Sequence, residues 1–201
     1  MRLPGKLFST AVLVALAGAA ASADYAIDTP EATVQTLHKG LVALALERPE
    51  ATVEERFRVL EPLVAATHDL PYIAQFALRR HWSDLAPADR DRFVAAFERL
   101  SVLTYASRFG KLRADSFKIE SSKILDSGRA QVVAAIARPD AEDVPLEYLL
   151  EQRPDGWKII NIIADGVSDL ALKRAEYQRV LGGGTIDDLI AYIDDQADRL
   201  Q

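Results

Sequence analysis

The sequence predicts an α+β fold in which helices cover one face of a curved antiparallel sheet. Three observations carry this. Apolar residues recur at helical spacing within residues 24 to 110. After Gly110 the pattern alternates, in four runs separated by short turn segments. After Ser168 the helical period returns. Short turns between strands imply an antiparallel meander. Helices set apart from strands along the chain imply a sheet with one covered face.

Val34, Leu37, Leu41 and Leu44 form one face of a first helix. Thr52 and Glu55 are a capping-box signal for a second, striped by Val53, Phe57, Leu60 and Val64. Pro71 suits the first turn of a short helix containing Ile73, Phe76 and Ala77. Pro87 opens the longest helix, about 87–109, whose wide apolar face is Phe93, Ala96, Phe97, Leu100, Leu103, Tyr105 and Phe109. The strand candidates are Ser116–Leu125, Ala130–Arg138, Val144–Gln152 and Trp157–Ala164. Asp126-Ser127-Gly128, Pro139-Asp140 and Pro154-Asp155-Gly156 between them are turn chemistry. A Gly166-Val167-Ser168 turn leads into an amphipathic helix with Arg174 on its apolar stripe, between Leu170 and Tyr177. Gly182-Gly183-Gly184 ends that helix and frees the next. The last begins near Thr185 and is striped by Ile186, Leu189, Ile190, Ile193 and Leu200.

Residues 1–23 read as a secretory signal: Arg2 and Lys6, an apolar run from Leu7 to Ala20, and Ala21-Ser22-Ala23 as a small-x-small cleavage site. What remains, 24–201, is one domain, with a helical part (24–110), an antiparallel sheet (111–168) and C-terminal helices (169–201). No other segment approaches the ~20 apolar residues that span a bilayer, and the chain has no cysteine. The expectation is a soluble periplasmic protein without stable membrane insertion. Removing Arg2 and Lys6 takes the formal charge from −6 to −8. So acidic a chain is a poor nucleic-acid binder and does not cling to anionic membranes by charge.

A curved sheet closed by helices makes a half-cone with room for an apolar hollow. The second strand reads A-Q-V-V-A-A-I-A, with Ala134 and Ala135 on opposite faces. Small residues opposite large aromatics suit tight packing, the commoner case, or room for a ligand.

Catalytic patterns are weak. His38, His68 and His81 have no metal-type spacing and read as surface or partly packed. His68 and Asp69 are sequence neighbours, which point apart on a helix, so no dyad is assigned. The triple glycine lacks the pattern of a phosphate loop. Trp157, Ile159, Asn161 and Ile163 are expected on one face of the last strand, and Asn161 cannot serve as a base. Glu147 and Glu151 share the other face of the third strand with Leu149 and read as solvated. No metal and no cofactor are expected. Arg174, a guanidinium on an apolar stripe, needs carbonyl or carboxylate partners. It either ties its helix to the sheet ends or sits at a cavity mouth.

The segment from Leu70 to Phe109 contains Trp82, Phe93, Phe97 and Tyr105 after Asp69. The C-terminal half contains Trp157-Lys158-Ile159, Gly166-Val167-Ser168 and Arg174. This ordered set resembles the MlaC family, periplasmic lipid-binding proteins of the toluene-tolerance group. Thr104-Tyr105-Ala106 and the ending G-G-G-T-I-D-D-L-I-A-Y-I resemble its hopanoid-associated HpnM branch. The chain departs from the family at Asn161, often an aspartate, and at Leu172-Lys173, often Asn-Tyr. The resemblance implies a fold like nuclear transport factor two with added helices, and a cavity for acyl chains between sheet and helices. It also implies handoff between an outer-membrane lipid complex and an inner-membrane lipid transporter. The cargo is a phospholipid or a hopanoid-type lipid.

Two chains of about 15 methylenes are worth roughly 24 kcal/mol of burial in gross terms. A carrier therefore needs a deep dry pocket. The candidate lining is Leu60, Val64, Ile73, Phe76, Trp82, Phe97, Leu100, Val132, Ala134, Ile136, Leu146, Tyr148, Trp157, Ile159 and Ile163, with Arg174 at the mouth. The competing readings are an isomerase or dehydratase-type enzyme on the same fold and a non-catalytic periplasmic interaction module.

Overall fold

A computed structural model describes residues 25–110, 112–113, 116–138 and 141–201. The signal segment and the Pro139-Asp140 turn lie outside these residues. The first helix, α1 (Pro30–Glu47), starts at Thr29, whose hydroxyl accepts from the Ala32 N–H. Helix α2 (Val53–Thr67) has the expected capping box. The Thr52 hydroxyl accepts from Glu55 N–H, and the Glu55 carboxylate accepts from Thr52 N–H. Next come α3 (Leu70–Leu78), capped by Asp69, the short α4 (Arg80–Asp84), and α5 (Pro87–Arg108). The sequence reading missed α4. It has one turn, no side-chain cap and no buried residue, so it leaves no periodic signal.

The strands follow: β1 (Phe117–Ile124), β2 (Ala130–Ile136), β3 (Val144–Arg153), β4 (Gly156–Ala164) and the two-residue β5 (Val167–Ser168). They pair antiparallel in chain order, a meander of five. Gly156 opens β4 with φ +125°, and a Cβ there would lie 2.6 Å from the Ile27 carbonyl oxygen. That close approach lets Trp157 N–H donate to Ile27, which fastens the N-terminal segment across the β3–β4 turn. Helix α6 (Asp169–Leu181) follows Ser168, and Thr185 starts α7 (Ile186–Asp198) with a second capping box through Asp188.

Two bulges set which side chains face the helices. In β1 the register with β2 shifts between Ile119 and Ser121, and in β4 the partners of Leu149 and Leu150 are Asn161 and Ile159. Ile160 is therefore the extra residue, and beyond it the faces exchange. Ile162 sits opposite Tyr148 on the covered face, and Ile163 sits opposite Glu147 on the other. The expectation that Trp157, Ile159, Asn161 and Ile163 share a face is corrected here. Strict alternation holds only to the bulge.

On the covered face Val132, Ala134, Leu146, Tyr148, Leu150 and Ile159 join Val34, Leu37, Leu60, Val64, Phe93 and Phe97 in one apolar cluster. The central helices α1 and α2 and the shorter α3 and α6 all pack on the sheet, while α5 lies against α2, α3 and α7.

Candidate functional site

The interior between sheet and helices is where most candidate residues meet. Leu60, Val64, Ile73, Phe97, Leu100, Val132, Ala134, Leu146, Tyr148, Trp157 and Ile159 are all buried in one cluster, with Ile136 and Trp82 packed at its edge. Two candidates lie elsewhere. Ile163 is on the opposite face for the reason given. Phe76 is 39% exposed. Its helix buries Ile73, Ala74 and Ala77, so Phe76 belongs to the solvent side.

The sequence reading missed the polar part of this interior. His38 and His68 are each 6% exposed, more deeply buried than the surface or partly packed positions expected of them. The signal was present for His38, which falls on the stripe of Val34, Leu37 and Leu41. Its Nε2 is 2.8 Å from the Tyr148 hydroxyl, and its ring stacks on Phe117 at 4.0 Å. His68 lies 2.9 Å from the Tyr105 hydroxyl through Nε2 and 3.0 Å from the Thr67 hydroxyl through Nδ1. The Thr67 hydroxyl donates to the Leu63 carbonyl. Its oxygen must then accept from Nδ1–H, which leaves Nε2 to accept from Tyr105. Burial lowers the pKa of both imidazoles to about 4 and raises those of Tyr105 and Tyr148. At neutral pH the interior thus holds two neutral His–Tyr pairs. Asp69 does not join His68. It caps α3 by accepting from Tyr72 N–H and pairs with Arg153 at 2.6 Å.

Asn161 fixes the start of α6, with its Oδ1 accepting from the Ser168 hydroxyl and from Leu170 N–H. The same helix carries Arg174 and Tyr177. The expected carbonyl or carboxylate partner of Arg174 is absent among the described residues. Its guanidinium stacks on Phe76 at 4.7 Å and its buried Nε is unpaired. Tyr177, fully buried edge-on to Phe93 and Phe97, also has an unpaired hydroxyl. Arg174 thus packs α6 against α3 through the Phe76 ring, with its Nε buried and without a partner.

A cleft of about 590 Å³ runs between α2 and α5, with His68 at its floor. Among the described residues no group of three acidic or imidazole side chains is placed to hold a metal ion, and no helix is long and apolar enough to cross a membrane.

The fold has a solved counterpart. The phospholipid-binding protein from Ralstonia solanacearum, determined in complex with a phospholipid, is 21% identical. The alignment covers 84% of this chain and 97% of that one, with a TM-score of 0.74. No curated protein matches the chain. The family model described as MlaC protein matches residues 35–195, a span from α1 through most of α7. The chain belongs to the MlaC family.

Proposed function

We propose that this protein is a non-catalytic periplasmic lipid carrier that shuttles a phospholipid or a hopanoid-type lipid between an outer-membrane lipid complex and an inner-membrane lipid transporter. Membership of the MlaC family supports it. So does the likeness to a fold solved around a phospholipid. The observation that carries the reading is the covered face of the sheet. Its Val132, Ala134, Leu146 and Ile159 lie in one buried cluster with Leu60, Val64, Phe97 and Leu100, without an intervening charge. That cluster is closed here, so a lipid loads by parting helices from sheet. The carbon surface then exposed is replaced by acyl chain, and burial is conserved. Arg174, held on Phe76 with a buried Nε that lacks a partner, would gain that partner from a phosphate oxygen entering as helices part from sheet.

The enzyme alternative draws on the His–Tyr pairs. A general base needs a lone pair aimed at substrate. The His68 Nε2 lone pair is already taken by Tyr105, which favours a structural role.

The test is mass spectrometry of organic extracts from protein purified from its native host, followed by transfer between donor and acceptor vesicles. About one to two lipids per chain, and transfer that needs the protein, are expected. Lipid-free protein that takes up nothing from vesicles would sink the carrier.

A further inference from the structure

The α2–α5 cleft meets the interior only at its buried lining residues His68, Leu70 and Val102. It runs along an i, i+4, i+8 row of α2, Phe57, Glu61 and Ala65, and faces Ala95, Glu98 and Val102 of α5. Its volume, about 590 Å³, falls within the ~300–1,000 Å³ range of ligand pockets. Phe57, Ala65, Leu70, Pro71, Ala95 and Val102 give it carbon walls. Its charge is one-sided. Glu61 and Glu98 both line it, and the Glu98 pKa is raised by partial burial and by the charge of Glu61. The cation in the lining, Arg99, is committed to Asp198 at 2.6 Å and Asp194 at 3.6 Å on α7. His68 at the floor is neutral and engaged with Tyr105. An apolar trench whose two carboxylates, without a cationic partner among the described residues, sit midway along its walls complements an alkyl chain that ends in a cation. An anionic head would meet repulsion there.

We infer that the α2–α5 cleft is a second ligand site, distinct from the interior, which holds one alkyl chain of an amphiphile and sets its ammonium head between Glu61 and Glu98. The two carboxylates select the head and the carbon walls take the chain. The unaided interior has no such preference, because its faces carry no net charge near the sheet. The ligand class is therefore an aminolipid with a free chain, such as a lysolipid with an ethanolamine head.

Two lysolipids with the same chain, lysophosphatidylethanolamine and lysophosphatidylglycerol, separate chain from head. Each is titrated below its micelle concentration into delipidated full-length protein and read by calorimetry. The ethanolamine lipid should bind about tenfold more tightly, the scale of one favourable ion contact. Glu61→Gln with Glu98→Gln should bring the two within about twofold of each other. Ala65 and Ala95 are exposed on the cleft walls, so Ala65→Trp with Ala95→Trp fills the trench without touching the core. It should abolish this binding and leave the melting temperature and any co-purified diacyl lipid unchanged. Equal affinity for both heads in wild type would overturn the inference. So would undiminished binding in the tryptophan variant, or no lysolipid binding at all, which would leave a partner's amphipathic helix as the occupant. If the protein carries no diacyl lipid yet binds the lysolipid in this way, the carrier reading fails and this site stands.

Discussion

Arg174 illustrates how a residue's surroundings change the meaning of its sequence pattern. On the stripe between Leu170 and Tyr177 it demanded a hydrogen-bonded partner, and loss of a buried charged network costs a few kcal/mol. The structure supplies a ring instead. A guanidinium over Phe76 contributes about 0.5–1 kcal/mol at a partly exposed site, and the free Nε offsets part of that. Arg174→Leu should therefore shift the melting temperature by no more than about 4 °C, while its content of anionic lipid falls several-fold. Calorimetry and lipid extraction of the same preparation check both. A variant that melts more than about 10 °C lower with full lipid content would make Arg174 a structural tie.

At the scale of elements, β2 decides where a ligand can go. Ala134 pairs with Leu146 and lies in the apolar cluster, whereas Ala135 pairs with Lys118 and Pro145 and lies outside it. The faces alternate here because no bulge interrupts the β2–β3 register. The closed interior is packed at Ala134, so the three heavy atoms that leucine adds force strain of about 1–3 kcal/mol. Ala134→Leu should lower the melting temperature of delipidated protein and also reduce its lipid content. Ala135→Leu should leave lipid content at the wild-type level. Delipidated samples are needed because bound ligand raises apparent stability. Loss of lipid in the Ala135 variant, with full retention in the Ala134 variant, would place the cargo on the other face of the sheet.

For the whole molecule, the two interior histidines make stability depend on pH. Each is near pKa 4 when folded and near 6.5 when unfolded. The unfolded chain therefore takes up protons first as pH falls. Stability is complete above about pH 6.5 and is lost progressively toward 4, by about 1.4 kcal/mol per pH step for each histidine. His38 faces Tyr148 and Phe117, both uncharged. His68 faces Thr67 and Tyr105, with Asp169 favouring and Lys158 opposing its charge. Between pH 6.5 and 5 most carboxylates stay ionised, so the histidines dominate that window. Thermal melts should fall steeply across it, and His38→Gln should remove about half the slope. A melting temperature that is level from pH 7 to 5 would mean that the imidazoles are not held neutral.

Composition, period and turn residues by themselves determined the α+β class, the meander, the capping box at Thr52 and the helix start near Thr185, since each depends on neighbours within a few positions. They also placed eleven of the lining candidates in one buried cluster, because an apolar stripe at helical or strand spacing has one low-energy place to go. Tertiary structure decided what spacing cannot encode. The β4 bulge moved Ile163 across the sheet, a shift of one residue that no local pattern announces. The pairing of His38 with Tyr148 spans 110 residues, and that of His68 with Tyr105 spans 37. Burial then made those imidazoles neutral, a consequence of the completed fold and not of the residues beside them. The α2–α5 cleft arose likewise from two helices that meet only when the chain has closed around its core.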